Sequence, residues 1–228
     1  MAERHQPGAD SGAESAWGLC APFMTQLPVS GALISVVDRA GHRSTIAATD
    51  PVAARWDELE LELGSGPLRD AAFESAPQLV PDVRASSMNS LVGAQLEQLG
   101  VLALFAFPLV LGSATVGVAG VYRTTTGALP ADALAVALQI ARSTTVPAIR
   151  EALRLAALNV PGESADRGPG LRRELHQATG MVSVQLNVST TAAFARLRAH
   201  AISTGRSITA VSVDIVDGLL SFADLDLE

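Results

Sequence analysis

At 228 residues, with 48% hydrophobic and 17% charged content, the chain is long enough for one or two domains and too apolar to remain disordered. Its single cysteine, Cys20, excludes an internal disulfide, a multi-cysteine metal centre and a two-cysteine redox cycle, and makes a reducing, cytoplasmic setting the default expectation. The net charge of −7 is unevenly placed: residues 1–170 carry 11 arginines against 17 acids, residues 171–217 carry five arginines against three acids, and residues 218–228 carry three acids and no base.

Residues 1–15 are polar and lack the charged-then-apolar order of a signal peptide, so they read as a flexible tail. Ala16–Gln26 has the pattern of a short helix. The β-rich run Ala32–Val37, a turn at Asp38–Gly41 and a second run His42–Ala48 predict a hairpin. Pro51–Leu61 follows as a helix with proline at its start. Gly64-Ser65-Gly66-Pro67 makes a turn into a helix Leu68–Ser75, then come a short strand Gln78–Val80 and an amphipathic helix Ser90–Leu99. Gly100–Tyr122 holds no charge and invites a membrane-span reading, but it contains Pro108 and four glycines and is rich in Val and Phe. Two buried strands, 102–110 and 114–122, joined by a turn at Gly112-Ser113 account for it better than one helix. A last helix, Ala131–Ala157, contains Pro147, which predicts a kink or a split. Residues 16–158 therefore read as an α+β sandwich, an antiparallel sheet with flanking helices.

Residues 159–170 hold two prolines and three glycines and read as a linker. Beyond them the pattern is wholly helical over 171–222, with an acidic tail at 223–228. Leu171–Leu186 places Leu175, Ala178 and Val182 at helical spacing; Ser189 is an N-cap for Ala192–Ser203; Gly205 stops that helix; and Ile208–Phe222 carries Val211, Ile215 and Leu219 as its apolar stripe. Helices this short are marginal alone and must pack on one another.

Several short motifs now stand in a telling order. Gln177-Ala178-Thr179-Gly180-Met181-Val182, then Val188-Ser189, then Ala193 through Ala201, then Thr204-Gly205-Arg206-Ser207-Ile208 resemble the ANTAR family of RNA-binding antitermination domains over roughly 170–222. Leu63-Gly64-Ser65-Gly66-Pro67, Val80-Pro81-Asp82-Val83, Gly100 through Leu109, Gly117-Val118 and Tyr122-Arg123 resemble a GAF sensor domain over roughly 16–157. The order is that of actinobacterial GAF–ANTAR regulators. The resemblance implies a cytoplasmic homodimer in which a small-molecule or protein signal at the GAF domain controls ANTAR binding to tandem RNA stem-loops, with no cofactor, metal or membrane involved. This chain departs from the pattern where many ANTAR domains have a lysine and it has Thr179, and where many GAF domains have a cysteine and it has Leu68. The absence of lysine also removes the motif of cyclic-nucleotide-binding GAF domains, so the resemblance implies a sensor fold and no particular ligand.

RNA binding needs positive charge for phosphate and planar groups that stack on bases. Arg198 and Arg206 fall on the family's arginine positions, Arg196 and His200 are i, i+4 neighbours, and Arg172, Arg173 and Gln177 lie on the expected outer side of the first helix. Each is equally readable as a solvated surface group, and the motif order favours contact only for Arg198 and Arg206. The acidic run Asp57, Glu58, Glu60 and Glu62 reads as a solvated helix face, Cys20 as a buried thiol, and His42 as an exposed loop residue. No catalytic signature stands out, which favours a binding protein over an enzyme; the sulfoxide reductases of the GAF fold resolve through several cysteines, and this chain has one. Two other readings remain open. One is a DNA-binding regulator, although the third helix carries only Asp214 and Asp217 as charges where a reading helix needs bases. The other is a dimerisation scaffold that has lost RNA binding.

Overall fold

A computed structural model of the chain describes residues 11–37, 43–86, 90–158 and 173–225. The chain divides into two compact units, 1–165 and 166–228. His42, the linker expected at 159–170 and the tail beyond Leu225 lie outside the described residues.

The first unit is built on a five-stranded antiparallel sheet in the order β2-β1-β5-β4-β3. Its strands are β1 (Gly31–Val37), β2 (Arg43–Ala48), β3 (Gln78–Val80), β4 (Ala103–Leu111) and β5 (Ala114–Arg123). Side chains alternate cleanly along the central strands. Phe105, Phe107, Leu109, Ala119, Val121, Ala32 and Ile34 face a core shared with α1 (Ser11–Gln26) and α5 (Ala131–Leu158). Leu104, Ala106, Val118, Tyr122 and Leu33 face a second core shared with α2 (Pro51–Leu63), α3 (Pro67–Glu74) and α4 (Ser90–Gln98). Burial on both faces is why the run 100–122 carries no charge. Its two strands meet in a two-residue turn at Gly112, whose φ of 64° suits glycine. Among the described residues no helix is long and apolar enough to cross a membrane.

Two expectations change here. Helix α1 starts at Ser11, so part of the expected flexible tail is helical; Ala13, Glu14, Ser15 and Ala16 continue the chain without Gly or Pro, leaving nothing to stop the helix one turn earlier. Helix α5 runs unbroken through Pro147. Pro147 and Ser143 both face solvent, so the Ser143 carbonyl that loses its amide partner is left to water and the helix continues.

The second unit packs α6 (Arg173–Leu186), α7 (Thr190–Ser203), α8 (Ile208–Val216) and a short α9 (Phe222–Leu225). Its core is Leu175, Ala178, Val182, Ala193, Leu197, Ala201, Ile208, Val211, Ile215 and Phe222. The Ser189 hydroxyl accepts from the Ala192 amide and the Ser207 hydroxyl from the Ala210 amide, capping α7 and α8 as their sequences require. The third helix is shorter than its apolar stripe suggests. Gly218 takes a φ of 73°, and the Leu219 amide bonds back to the Asp214 carbonyl, ending α8 at Val216. Leu219 is therefore exposed, and Phe222, with its amide on Gln185 Oε1 of α6, takes the buried place instead.

Gly120 lies in the middle of β5 because α2 and α3 press on it: an added Cβ would come within 2.6 Å of the Leu68 side chain and 2.7 Å of the Trp56 ring. Gly120→Ala is expected to cost about 1–3 kcal/mol by overpacking, read as a lower urea midpoint at unchanged slope.

Candidate functional site

Three of the four acids in the α2 run are buried and Glu58 is half-buried, which overturns the reading of a solvated helix face: Asp57 is 0% exposed, Glu60 1% and Glu62 8%. Ala53, Trp56, Asp57 and Glu60 recur at spacings of three and four residues and form the stripe that α2 turns inward. Glu60 Oε1 accepts from the Trp56 indole Nε1 at 2.6 Å and from the Leu68 amide at 3.1 Å, and Oε2 accepts from the Arg69 amide at 3.0 Å and from Arg43 Nη1 at 3.5 Å. The Arg43 guanidinium also pairs with Asp57 at 2.8 Å, and the Thr45 hydroxyl donates to the other Asp57 oxygen. One carboxylate thus joins β2, α2 and the first amides of α3. Burial pushes the Glu60 carboxyl above the usual carboxylate range, against the pull of Arg43, the two α3 amides and Trp56.

Gly66 is the hinge of this arrangement. It precedes α3 with a φ of 146°, and an added Cβ would lie 2.3 Å from the Glu60 carboxyl carbon. Only glycine fits both the conformation and the approach. On its other side Gly66 lines a cleft of about 560 Å³ between the start of α3, the strand β3 and the turn that follows it. Asp70, Gln78, Asp82 and Ser86 supply polar groups there, and among the described residues no basic side chain lines it. The Leu68 and Arg69 amides at the start of α3, which would otherwise cradle an anion, are taken up by Glu60, and the two carboxylates of the cleft are each paired with a neighbouring arginine, Asp70 with Arg69 and Asp82 with Arg84.

A second polar joint closes the other end of α2. Asp50 caps it, accepting from the Ala53 amide at 2.9 Å, and also accepts from the Tyr122 hydroxyl at 3.0 Å and the Thr49 hydroxyl at 2.6 Å. Burial and the Asp50 charge push the Tyr122 hydroxyl up to about 12. Cys20 is fully buried, and its thiol is pushed up to about 12 by burial and by Asp50, which agrees with an inert core thiol.

The residues expected to meet RNA fall as follows. Arg196 is exposed on α7, and Arg198 and His200 are half-buried there. Arg198 is two residues from Arg196, about 200° around the helix, so it lies on a different side of α7 from the Arg196 and His200 pair. Among the described residues no ion pair reaches Arg198. Arg206, at the α7–α8 corner, turns along α8 and pairs with Asp214 at 2.6 Å. The His200 ring meets Phe222 edge-on at 5.3 Å. Gln177 is exposed on α6; Arg172 and the side chain of Arg173 lie outside the described residues. Thr179 is buried, and its hydroxyl bonds back to the Leu175 carbonyl at 2.6 Å, so this position presents neither charge nor donor to a ligand.

The GAF domain family matches residues 19–146. The chain belongs to the GAF domain family. The match spans all five strands of the GAF unit and the network around Glu60. A domain described as part of a two-component sensor histidine kinase from Sinorhizobium meliloti is similar in structure, with a TM-score of 0.51 and 20% identity over 68% of this chain and 100% of that one. A GAF domain region of a Geobacter sulfurreducens membrane protein has a TM-score of 0.49 and 16% identity over 58% of this chain and 89% of that one. A type II free methionine-R-sulfoxide reductase from Thermoplasma acidophilum has a TM-score of 0.47 and 11% identity over 62% of this chain and 94% of that one. No curated protein sequence matches the chain. At these identities the likeness shows the fold alone.

The Glu60 network is what sequence reasoning missed. The available signal was the spacing of Ala53, Trp56, Asp57 and Glu60 on one stripe, followed by a Gly66-Pro67 step into a new helix. Glu60→Ala should destabilise the GAF unit by about 3–5 kcal/mol, because Arg43 stays buried with one carboxylate fewer beside it, and Trp56 fluorescence should report the change. In native protein at pH 8, Cys20 should resist a thiol reagent that labels it fully in urea.

Proposed function

We propose that the protein is an RNA-binding transcription antitermination regulator, in which the GAF unit senses a signal and the helical unit binds tandem RNA stem-loops in the manner of an ANTAR domain. The observation that carries this reading is the placement of guanidinium groups on a separate helical unit. Arg196, Arg198 and Arg206 stand at exposed or half-exposed positions on α7 and the α7–α8 corner, where the motif order expects them. The helical core beneath them is made mainly of Ala, Val, Leu, Ile and Phe, with Thr179 and Ser212 as its buried polar side chains, so the charged groups of α7 stand outside it. Phosphate attracts them, and the planar guanidinium stacks on looped-out bases.

The cleft beside Gly66 is the candidate sensing site of the GAF unit, since a ligand there bears on the start of α3 and through it on Glu60. In this reading the protein acts by binding and not by catalysis, and works in the cytoplasm as a homodimer whose two copies meet paired stem-loops. A DNA-binding role is disfavoured by α8, which carries Asp214 and no base.

A gel-shift titration with tandem-hairpin RNA tests the reading. Arg198→Ala is expected to weaken binding by about ten-fold and to reduce the slope of log affinity against log salt by about 0.7–0.9 for each phosphate that is no longer neutralised. Tight binding to duplex DNA with none to RNA would overturn it.

A further inference from the structure

Helix α5 turns Ala137, Ile140, Ala141 and Ala148 into the core of the GAF unit and exposes its opposite side. Gln139, Arg142, Val146, Arg150, Leu153 and Ala157 are all exposed there. Their spacings of three and four residues place them on one stripe down the helix. Val146 is 43% exposed and Leu153 65%. Arg142 and Arg150 stand one turn to either side of Val146, and Leu153 follows Arg150 by another turn. Among the described residues neither Arg142 nor Arg150 has an ion pair or a hydrogen bond. The third arginine of α5, Arg154, is held by Glu151 at 2.5 Å. Glu151 is 7% exposed and is the only acid of α5 after Asp132. The stripe thus holds two uncompensated cations and no acid, in a chain of net charge −7. One exposed apolar residue is ordinary on a surface. Apolar and cationic residues repeating turn by turn over about 21 Å, from Gln139 to Leu153, make a surface that another helix can read.

We propose that this side of α5 docks an acidic amphipathic helix of a partner protein. Val146 and Leu153 cover the partner's apolar stripe, and Arg142 and Arg150 pair with carboxylates that flank it. Charge selects this occupant over a second copy of the chain. In an antiparallel pair centred on Val146, Arg142 of one copy would meet Arg150 of the other; in a parallel pair each arginine would meet its own image. Neither arrangement brings an exposed acid of the stripe to the arginines. A nucleic acid would satisfy the two guanidinium groups but leave Val146 and Leu153 against its charged backbone. A helix with carboxylates beside leucines satisfies both kinds of residue, and the sign of its charge decides which helices are accepted. No part of this depends on the RNA reading of the helical unit.

The probe is a synthetic helical peptide of about 20 residues, long enough to hold a helix on docking, with leucine along one stripe and glutamate on both flanks. A scrambled peptide of the same composition and a peptide with lysine in place of every glutamate serve as controls. Each is titrated against the full chain by fluorescence anisotropy at low salt. The acidic peptide is expected to bind at least about ten-fold more tightly than the scrambled one. R142E/R150E should weaken it by at least about ten-fold and let the lysine peptide bind in its place. V146D/L153D should weaken both acidic and lysine peptides, with circular dichroism unchanged because all four positions are exposed. Failure of the acidic peptide to bind the wild type, or equal binding by wild type and R142E/R150E, overturns the proposal. Equal binding of the scrambled peptide would mean general charge attraction and overturns it too. If V146D/L153D turns a dimer into a monomer in sedimentation, a second copy covers this face and the proposal fails. If R142E/R150E abolishes retention on heparin while no peptide binds, the cations serve a nucleic acid and it fails likewise.

Discussion

A single buried carboxylate organises the α2–α3 side of the GAF unit. Glu60 is surrounded by an indole N–H, two amides from the start of α3 and a guanidinium from β2. Removing a carboxylate from water is costly, and this one is tolerable only because its oxygens meet four donors. The arrangement fixes where α3 begins, holds β2 against α2, and requires glycine at position 66. Since Gly66 also lines the cleft, the wall of the candidate sensing site and the buried charge are the same piece of backbone. A fold-stabilising interaction placed directly behind a cleft is a short route from occupancy to structure.

The two units solve the burial problem differently. The GAF unit shares two apolar layers across a sheet, so its central strands are hydrophobic on both faces and its polar groups are concentrated in α2 and at Asp50. The helical unit has one small core in which Ala178, Val182, Ala193, Ala201 and Val211 alternate with Leu175, Leu197, Ile208, Ile215 and Phe222. Small residues let α6, α7 and α8 approach closely, and the charged residues stay outside. That division leaves the helical unit with its arginines at the surface, where Arg206 pairs with Asp214.

Much of the architecture was legible in the amino-acid order, because it rests on short-range rules. The turn at Gly112, the hairpin that replaced an apparent membrane span, the caps at Ser189 and Ser207, and the stop at Gly205 all follow from local backbone preferences and periodicity. Where local rules were outvoted, the cause is identifiable. Pro147 did not split α5 because its face is solvated. The apolar periodicity of the third helix ran on to Phe222, but Gly218 supplied a left-handed residue that ended α8 early and exposed Leu219.

The sequence by itself determined the two-part organisation, the α+β layering of the first part and the helical character of the second, since composition, alternation and turn chemistry are properties of neighbouring residues. Only the tertiary structure decided the fate of the charges. Asp57 and Glu60 look like surface acids until Arg43, 14 and 17 residues away, and the amides of a separate helix come to meet them. Arg206 looks like a group awaiting phosphate until Asp214 takes it. Whether a charge faces water, a partner or a ligand depends on which distant segments fold against it, and no local pattern encodes that.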